Sequence, residues 1–125
     1  MAAMKILITE DSDSHRQMLE RILSTKSEHE IITAIDGTST LETVASEAPD
    51  LIILDINLPD MDGFQVYDAL KADGSTAKIP IIVLTALGNI ASQYGREVPP
   101  PDIFLSKPVM PDDLIAQINA LLGSS

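Results

Sequence analysis

The chain has 125 residues, 45% of them apolar, enough to bury one core and too few for a second ordinary domain. A formal net charge of -11, with two Tyr, two Phe and no Trp, argues against direct nucleic-acid binding, which needs cations for the phosphates and rings for the bases. The absence of cysteine excludes disulfides and thiolate metal sites and fits a reducing, cytoplasmic setting. The apolar runs at 51–54 and 81–84 fall far short of the roughly 20 residues of a membrane span, and the start of the chain lacks a signal-peptide core, so a soluble protein without a membrane partner is expected.

Short β-rich apolar runs alternate five times with amphipathic stretches, the pattern of βα units closing on a parallel sheet rather than of hairpins. Residues 5–9 make the first strand. A helix follows from near Ser14 to Lys26, capped by Ser12 or Asp13, with Met18, Leu19, Ile22 and Leu23 as its apolar face. The second strand spans 30–35. The second helix runs from about Ser39 to Ala48, offers Leu41, Val44 and Ala45 to the core, and is stopped by Pro49.

The third strand, 50–55, is followed by a turn at 58–63 and a helix from Phe64 to about Ala72, with Val66, Tyr67 and Leu70 inward. Asp60 and Asp62 read as residues of that turn, and Gly63 as its source of permissive dihedrals. The fourth strand is expected at 79–85. A fourth helical stretch, from Leu87 to Arg96, contains two glycines and only a thin apolar stripe, and three prolines follow at 99–101, so a short or mobile element is expected. The fifth strand spans 102–106. The last helix opens at Pro111, with Asp112 and Asp113 at its positive end and Leu114, Ile115, Ile118, Leu121 and Leu122 along one face. The second and fifth strands are mixed enough in polarity to be edges. The chain reads as one domain over 1–125 with its core at about 4–122, residues 123–125 as a frayed end or linker stub, and no output domain following.

In an open α/β sheet, ligands bind beyond the carboxyl ends of the strands. Glu10 and Asp11 follow the first strand, Asp55 ends the third, Thr85 ends the fourth, and Lys107 and Pro108 follow the fifth. Carboxylates gathered at one sheet edge repel one another unless a cation sits among them, and Mg²⁺, which takes few carboxylates and keeps several waters, fits better than a calcium cage with EF-hand spacing. A carboxylate nucleophile, a metal, a lysine and a hydroxyl together suit the handling of a phosphoryl group. His15 and His29 have no second histidine or cysteine at ligand spacing and read as surface residues.

These residues resemble the receiver domain of two-component response regulators, over nearly the whole chain from Met4 to Leu122. The resemblance rests on Ile-Leu-Ile-Thr-Glu-Asp ending at Asp11, Leu-Ile-Ile-Leu-Asp-Ile-Asn-Leu-Pro-Asp-Met-Asp-Gly from Leu51 to Gly63, Ile-Pro-Ile-Ile-Val-Leu-Thr-Ala ending at Ala86, and Ser-Lys-Pro ending at Pro108. It implies a flavodoxin-like, doubly wound (βα)5 fold with strand order 2-1-3-4-5. It further implies that Asp55 accepts phosphate from a phosphohistidine of a sensor histidine kinase or histidine phosphotransfer protein. Asp11 and Asp55 would bind Mg²⁺ together with the Asn57 main-chain carbonyl, and Glu10 would act through metal-bound water.

In the same resemblance Lys107 pairs with the phosphoryl group, Thr85 hydrogen-bonds it, Phe104 is the aromatic switch, and the Lys107–Pro108 bond is cis. Phosphorylation adds about 1.5 to 2 negative charges, and the bonds to Thr85 and Lys107 would alter the surface of the fourth and fifth elements for a downstream protein partner. Asn57 and Leu87 stand where such domains tune dephosphorylation, and Leu87 cannot position a water, so a long-lived phosphoryl-Asp is expected. The segment from Tyr94 to Pro101 departs from the family pattern and leaves the output face open.

The implied class is a phosphoacceptor signalling domain with at most self-catalysed phosphotransfer and slow autodephosphorylation, rather than an enzyme. The alternative is a receiver-like binding module that works without phosphorylation, against which Glu10, Asp11, Asp55, Thr85 and Lys107 all argue. A dehalogenase-type hydrolase would want a second Asp at the position of Asn57, and a flavodoxin would want a hydroxyl- and glycine-rich phosphate loop after the first strand.

Overall fold

The computed structural model describes residues 4–26, 28–85, 102–106 and 109–122. Five strands form one sheet: β1 (Lys5–Thr9), β2 (Glu30–Ala34), β3 (Leu51–Asp55), β4 (Ile81–Thr85) and β5 (Ile103–Ser106). All four pairings are parallel, in the order β2-β1-β3-β4-β5, which places the two mixed strands at the edges as their composition predicts. The helices among the described residues are α1 (Asp13–Lys26), α2 (Gly37–Glu47), α3 (Gly63–Ala72) and α4 (Pro111–Leu121). The helical stretch expected at 87–96, and the prolines after it, lie outside the described residues.

The aliphatic strands alternate their side chains between two cores, because successive Cβ atoms of a strand point to opposite faces. Ile6, Ile8, Leu51, Ile53, Ile82 and Leu84 meet Leu19 and Leu23 of α1 and Leu114 and Ile118 of α4. Leu7, Ile52, Leu54, Ile81 and Val83 meet Val44 of α2 and Phe64, Val66, Tyr67 and Leu70 of α3. Of the described helices, two lie on each face, which is the doubly wound, flavodoxin-like arrangement. Each fully buried Leu or Ile contributes about 1.5–3 kcal/mol, so the central strands hold the layers together.

Some sequence expectations shift by a residue or a face. Strand β2 stops at Ala34 because Ile35, 53% exposed, turns its N–H to the Ser39 hydroxyl at 3.3 Å instead of to the ladder. Ile79 likewise stays outside β4, its N–H donating to the Thr76 carbonyl at 3.0 Å within a turn. Met18, expected inward, is 42% exposed, since Leu19 and Leu23, one turn apart, already fill the stripe of α1 that meets the sheet. Ala45 is exposed as well, leaving Val44 buried and Leu41 half-buried to carry the apolar face of α2.

Helix starts are built by local side chains. Asp36 and Ser39 form a capping box at α2, with Ser39 N–H donating to Asp36 Oδ1 at 2.8 Å and Asp36 N–H donating to Ser39 Oγ at 3.2 Å. Asp62 and Gln65 do the same for α3, at 2.8 Å from Phe64 N–H to Asp62 Oδ1 and 2.9 Å from Asp62 N–H to Gln65 Oε1. At α1 the Ser12 carbonyl accepts the Arg16 N–H at 2.9 Å.

Candidate functional site

The carboxyl ends of β1 and β3 lie side by side because these strands pair, with Thr9 opposite Leu54. Glu10, the residue after β1, and Asp55, the last residue of β3, are each 1% exposed. Glu10 is fixed from several sides: its N–H donates to the Ala34 carbonyl at 3.1 Å, its Oε2 accepts the Ser12 N–H at 3.3 Å, and its own carbonyl accepts from Arg16 Nη1 at 3.0 Å. Asp55 Oδ1 accepts the Asn57 N–H at 2.8 Å, which sets the plane of the carboxylate. A layer below, the Thr40 hydroxyl donates to the Asp36 carbonyl at 2.6 Å, so the Thr9 hydroxyl donates to Thr40 Oγ1 at 2.8 Å, and α2 is tied beneath the loop after β1.

The loop after β3 is clamped to α3 by backbone contact. Gly63 N–H donates to the Ile56 carbonyl at 2.9 Å, and a Cβ on Gly63 would stand 2.3 Å from Ile56 Cα and 2.9 Å from the Asp55 carbonyl oxygen. Gly63 is therefore required by close approach to the strand that carries Asp55; the permissive dihedrals expected of it are not what the position uses.

Asp60 and Asp62 act as turn residues, and Asp60 reaches further than the sequence indicated. It accepts from Gly37 N–H at 2.7 Å, Thr38 N–H at 2.9 Å and the Thr38 hydroxyl at 2.7 Å, joining the loop after β3 to the start of α2. These bonds, the Thr38 hydroxyl first, stabilise the charged carboxylate and lower its pKa to about 2.

Ligand atoms of Glu10, His15 and Asp55 lie within 4.8 Å of one another. Two buried carboxylates at this spacing fit a divalent cation, because each would otherwise face the other's charge. Asp11, adjacent to Glu10 in the chain, is exposed and outside that group. His15 contradicts its reading as a surface residue: its side chain is 18% exposed, and Nδ1 contacts Glu10 Oε1. The signal was its position in the first turn of α1, from which a side chain leans back over the preceding loop. His29 is half-buried, its Nδ1 accepting the Met4 N–H at 3.0 Å.

Asn57 is exposed beside Asp55. The backbone of Thr85 ends β4 opposite Ser106. The side chain of Thr85, together with Leu87, Lys107 and Pro108, lies outside the described residues. Phe104 projects from β5 and meets Phe64 of α3 edge-on, with ring centroids 6.1 Å apart and planes at 77°.

Comparison with known proteins identifies the family to which this acidic pair and 2-1-3-4-5 parallel sheet belong. Residues 6–119 match the response regulator receiver domain, and the chain belongs to that family. It is 40% identical over 119 residues to a probable transcriptional regulator, ycf27, of Cyanophora paradoxa, covering 94% of this chain and 48% of that protein. It is 37% identical to the response regulator PleD of Caulobacter vibrioides, covering 94% of this chain and 26% of that protein. The chain thus spans about half or less of these relatives.

Among solved structures, it superposes on the chemotaxis response regulator CheY4 of Vibrio cholerae with a TM-score of 0.86 at 28% identity, covering 96% of this chain and 99% of the other. The receiver domain of the sensor histidine kinase PA1611 of Pseudomonas aeruginosa, with magnesium coordinated in its active-site cleft, gives 0.85 at 26% identity, covering 98% of this chain and all (100%) of the other.

Proposed function

We propose that the chain is a phosphorylation-dependent switch of a two-component phosphorelay, with Asp55 as the phosphoacceptor. The observation that carries this reading is the burial of Asp55 at the end of β3 with Glu10 beside it, in a chain of the receiver family. An Asp55 oxygen attacks the phosphorus of a phosphohistidine on a sensor kinase or phosphotransfer protein; the O–P bond forms as the N–P bond breaks, and the electron pair returns to the donor imidazole. Asp11, Asp55 and the Asn57 carbonyl would hold Mg²⁺, with Glu10 acting through metal-bound water, and the bound ion would supply positive charge to neutralise phosphoryl oxygens. Asn57 N–H holds Asp55 Oδ1 while the attack proceeds. Lys107 pairs with the transferred group as a point charge, and Thr85 donates a hydrogen bond to it. Phe104 then repacks against α3, and the face built on β4 and β5 changes for a protein partner.

The domain works in the cytoplasm as a signalling component, its chemistry limited to its own phosphotransfer and slow autodephosphorylation. No helix among the described residues is long and apolar enough to cross a membrane. Beryllofluoride, a phosphoryl mimic, tests the switch by NMR. Added with Mg²⁺, it is expected to shift the amides of Asp55, Thr85 and Phe104 together; shifts confined to Asp55 would overturn the switch, leaving a phosphorylation-independent binding module.

A further inference from the structure

The acidic pair has a third neighbour that the expected ligand set omits. His15 presents Nδ1 to Glu10 Oε1, and together with Asp55 these two residues form the one group of potential metal-ligating side chains among the described residues. The imidazole is held there by α1, which begins at Asp13, while Arg16 of the same turn donates to the Glu10 carbonyl at 3.0 Å and also pairs with Asp13. Loop and helix start are thus fastened together. With its proton on Nε2, an imidazole offers its Nδ1 lone pair to a cation, and here Nδ1 faces the carboxylates.

We propose that His15 is a further direct ligand of the divalent cation at this site, and that its nitrogen raises affinity for the borderline ion Zn²⁺, and more weakly for Mn²⁺, relative to Mg²⁺. The inference rests on the metal-assisted reading of the site given above. Mg²⁺ takes hard oxygen ligands in a near-ideal octahedron, whereas a neutral imidazole nitrogen suits Zn²⁺ well and the harder Mn²⁺ less. With Asp11, Asp55 and the Asn57 carbonyl, His15 would make a fourth protein ligand and leave two octahedral positions, for a water that Glu10 holds and for a phosphoryl oxygen. His15, four-fifths buried, sits with the buried pair of Glu10 and Asp55.

The test is calorimetric titration of the full chain with Mg²⁺, Mn²⁺ and Zn²⁺, alongside electron spin echo spectroscopy of the Mn²⁺-loaded protein. The native chain is expected to show ¹⁴N modulation from a directly bound imidazole, and His15→Leu to abolish it. The same substitution is expected to lower Zn²⁺ affinity most, by about 10- to 100-fold, Mn²⁺ affinity less and Mg²⁺ affinity least. Absence of ¹⁴N coupling in the native chain would overturn the proposal without depending on how any variant folds. Equal loss of affinity for all three ions would also overturn it, reducing His15 to a residue that positions Glu10. Phosphorylation of Asp55 with Mg²⁺, measured separately, tells the failures apart: phosphate uptake without nitrogen coupling removes this inference alone, and nitrogen coupling without uptake removes the switch and leaves the metal site.

Discussion

Asp60 makes its three hydrogen bonds to α2 from an exposed loop, and all of them favour the ionised carboxylate. Its folded pKa of about 2 lies below its ordinary value of 3.8, so the stability it adds is fully present above that ordinary value and is lost as pH falls through about 2. Denaturant midpoints of the native chain and Asp60→Asn are therefore expected to differ at neutral pH and to converge between about pH 4 and pH 2; a constant difference across that range would show that the bonds do not favour the charge. At this scale the sequence pointed to Glu10 and Asp55, which the fold brings together, since strand ends in a parallel sheet are where chemistry gathers, while Asp11 stays outside that group. It did not disclose His15 or the reach of Asp60. A lone histidine has no spacing signature, and a loop aspartate next to a glycine turn gives no sign that its partners lie 22 and 23 residues earlier.

Among the elements, α2 closes on a strained residue. Its C-cap, Ala48, has φ 48° and ψ 62°, in the left-handed region, while donating its N–H to the Val44 carbonyl at 3.1 Å. A Cβ costs about 1–2 kcal/mol there, partly offset by the greater chain entropy of glycine, so Ala48→Gly is expected to raise unfolding free energy by about 0.5–1 kcal/mol in chemical denaturation. Pro49 announced the end of this helix, but alanine in a left-handed cap could not be read from residue type, because glycine or asparagine is the usual occupant.

The opposite end of the sheet is joined by a buried carboxylate. Asp102 accepts from Ile81 N–H at 2.8 Å, Tyr67 hydroxyl at 2.7 Å and Lys71 Nζ at 2.9 Å, and Lys71 also donates to the carbonyls of Ala77 and Ile79. This network links α3 to β4 and β5, and β5 begins at Ile103, one residue later than the 102–106 expected, because Asp102 is engaged in it. Lys71→Met leaves the buried Asp102 charge short of its cation and is expected to cost about 2–4 kcal/mol, against about 1 kcal/mol for Tyr67→Phe. Equal costs in thermal or denaturant unfolding would contradict this account.

As a whole molecule, the chain shows how a simple pattern determines architecture. Continuous aliphatic strands demanded cover on both faces, amphipathic stretches supplied it, and the mixed strands went to the edges. Strand order itself came from the family resemblance, since alternation of β and α fixes parallel pairing but not which strand is central. The same order brings Glu10 and Asp55 together from residues 45 positions apart in the chain. The central claim is that this convergence makes Asp55 a phosphoacceptor. Intact mass after incubation with Mg²⁺ and acetyl phosphate tests it most directly, with Asp55→Asn and a chelator as comparisons. A single phosphate adduct that requires Mg²⁺ and is absent in Asp55→Asn is the predicted result; no adduct on the native chain, or an adduct that survives Asp55→Asn, would contradict it.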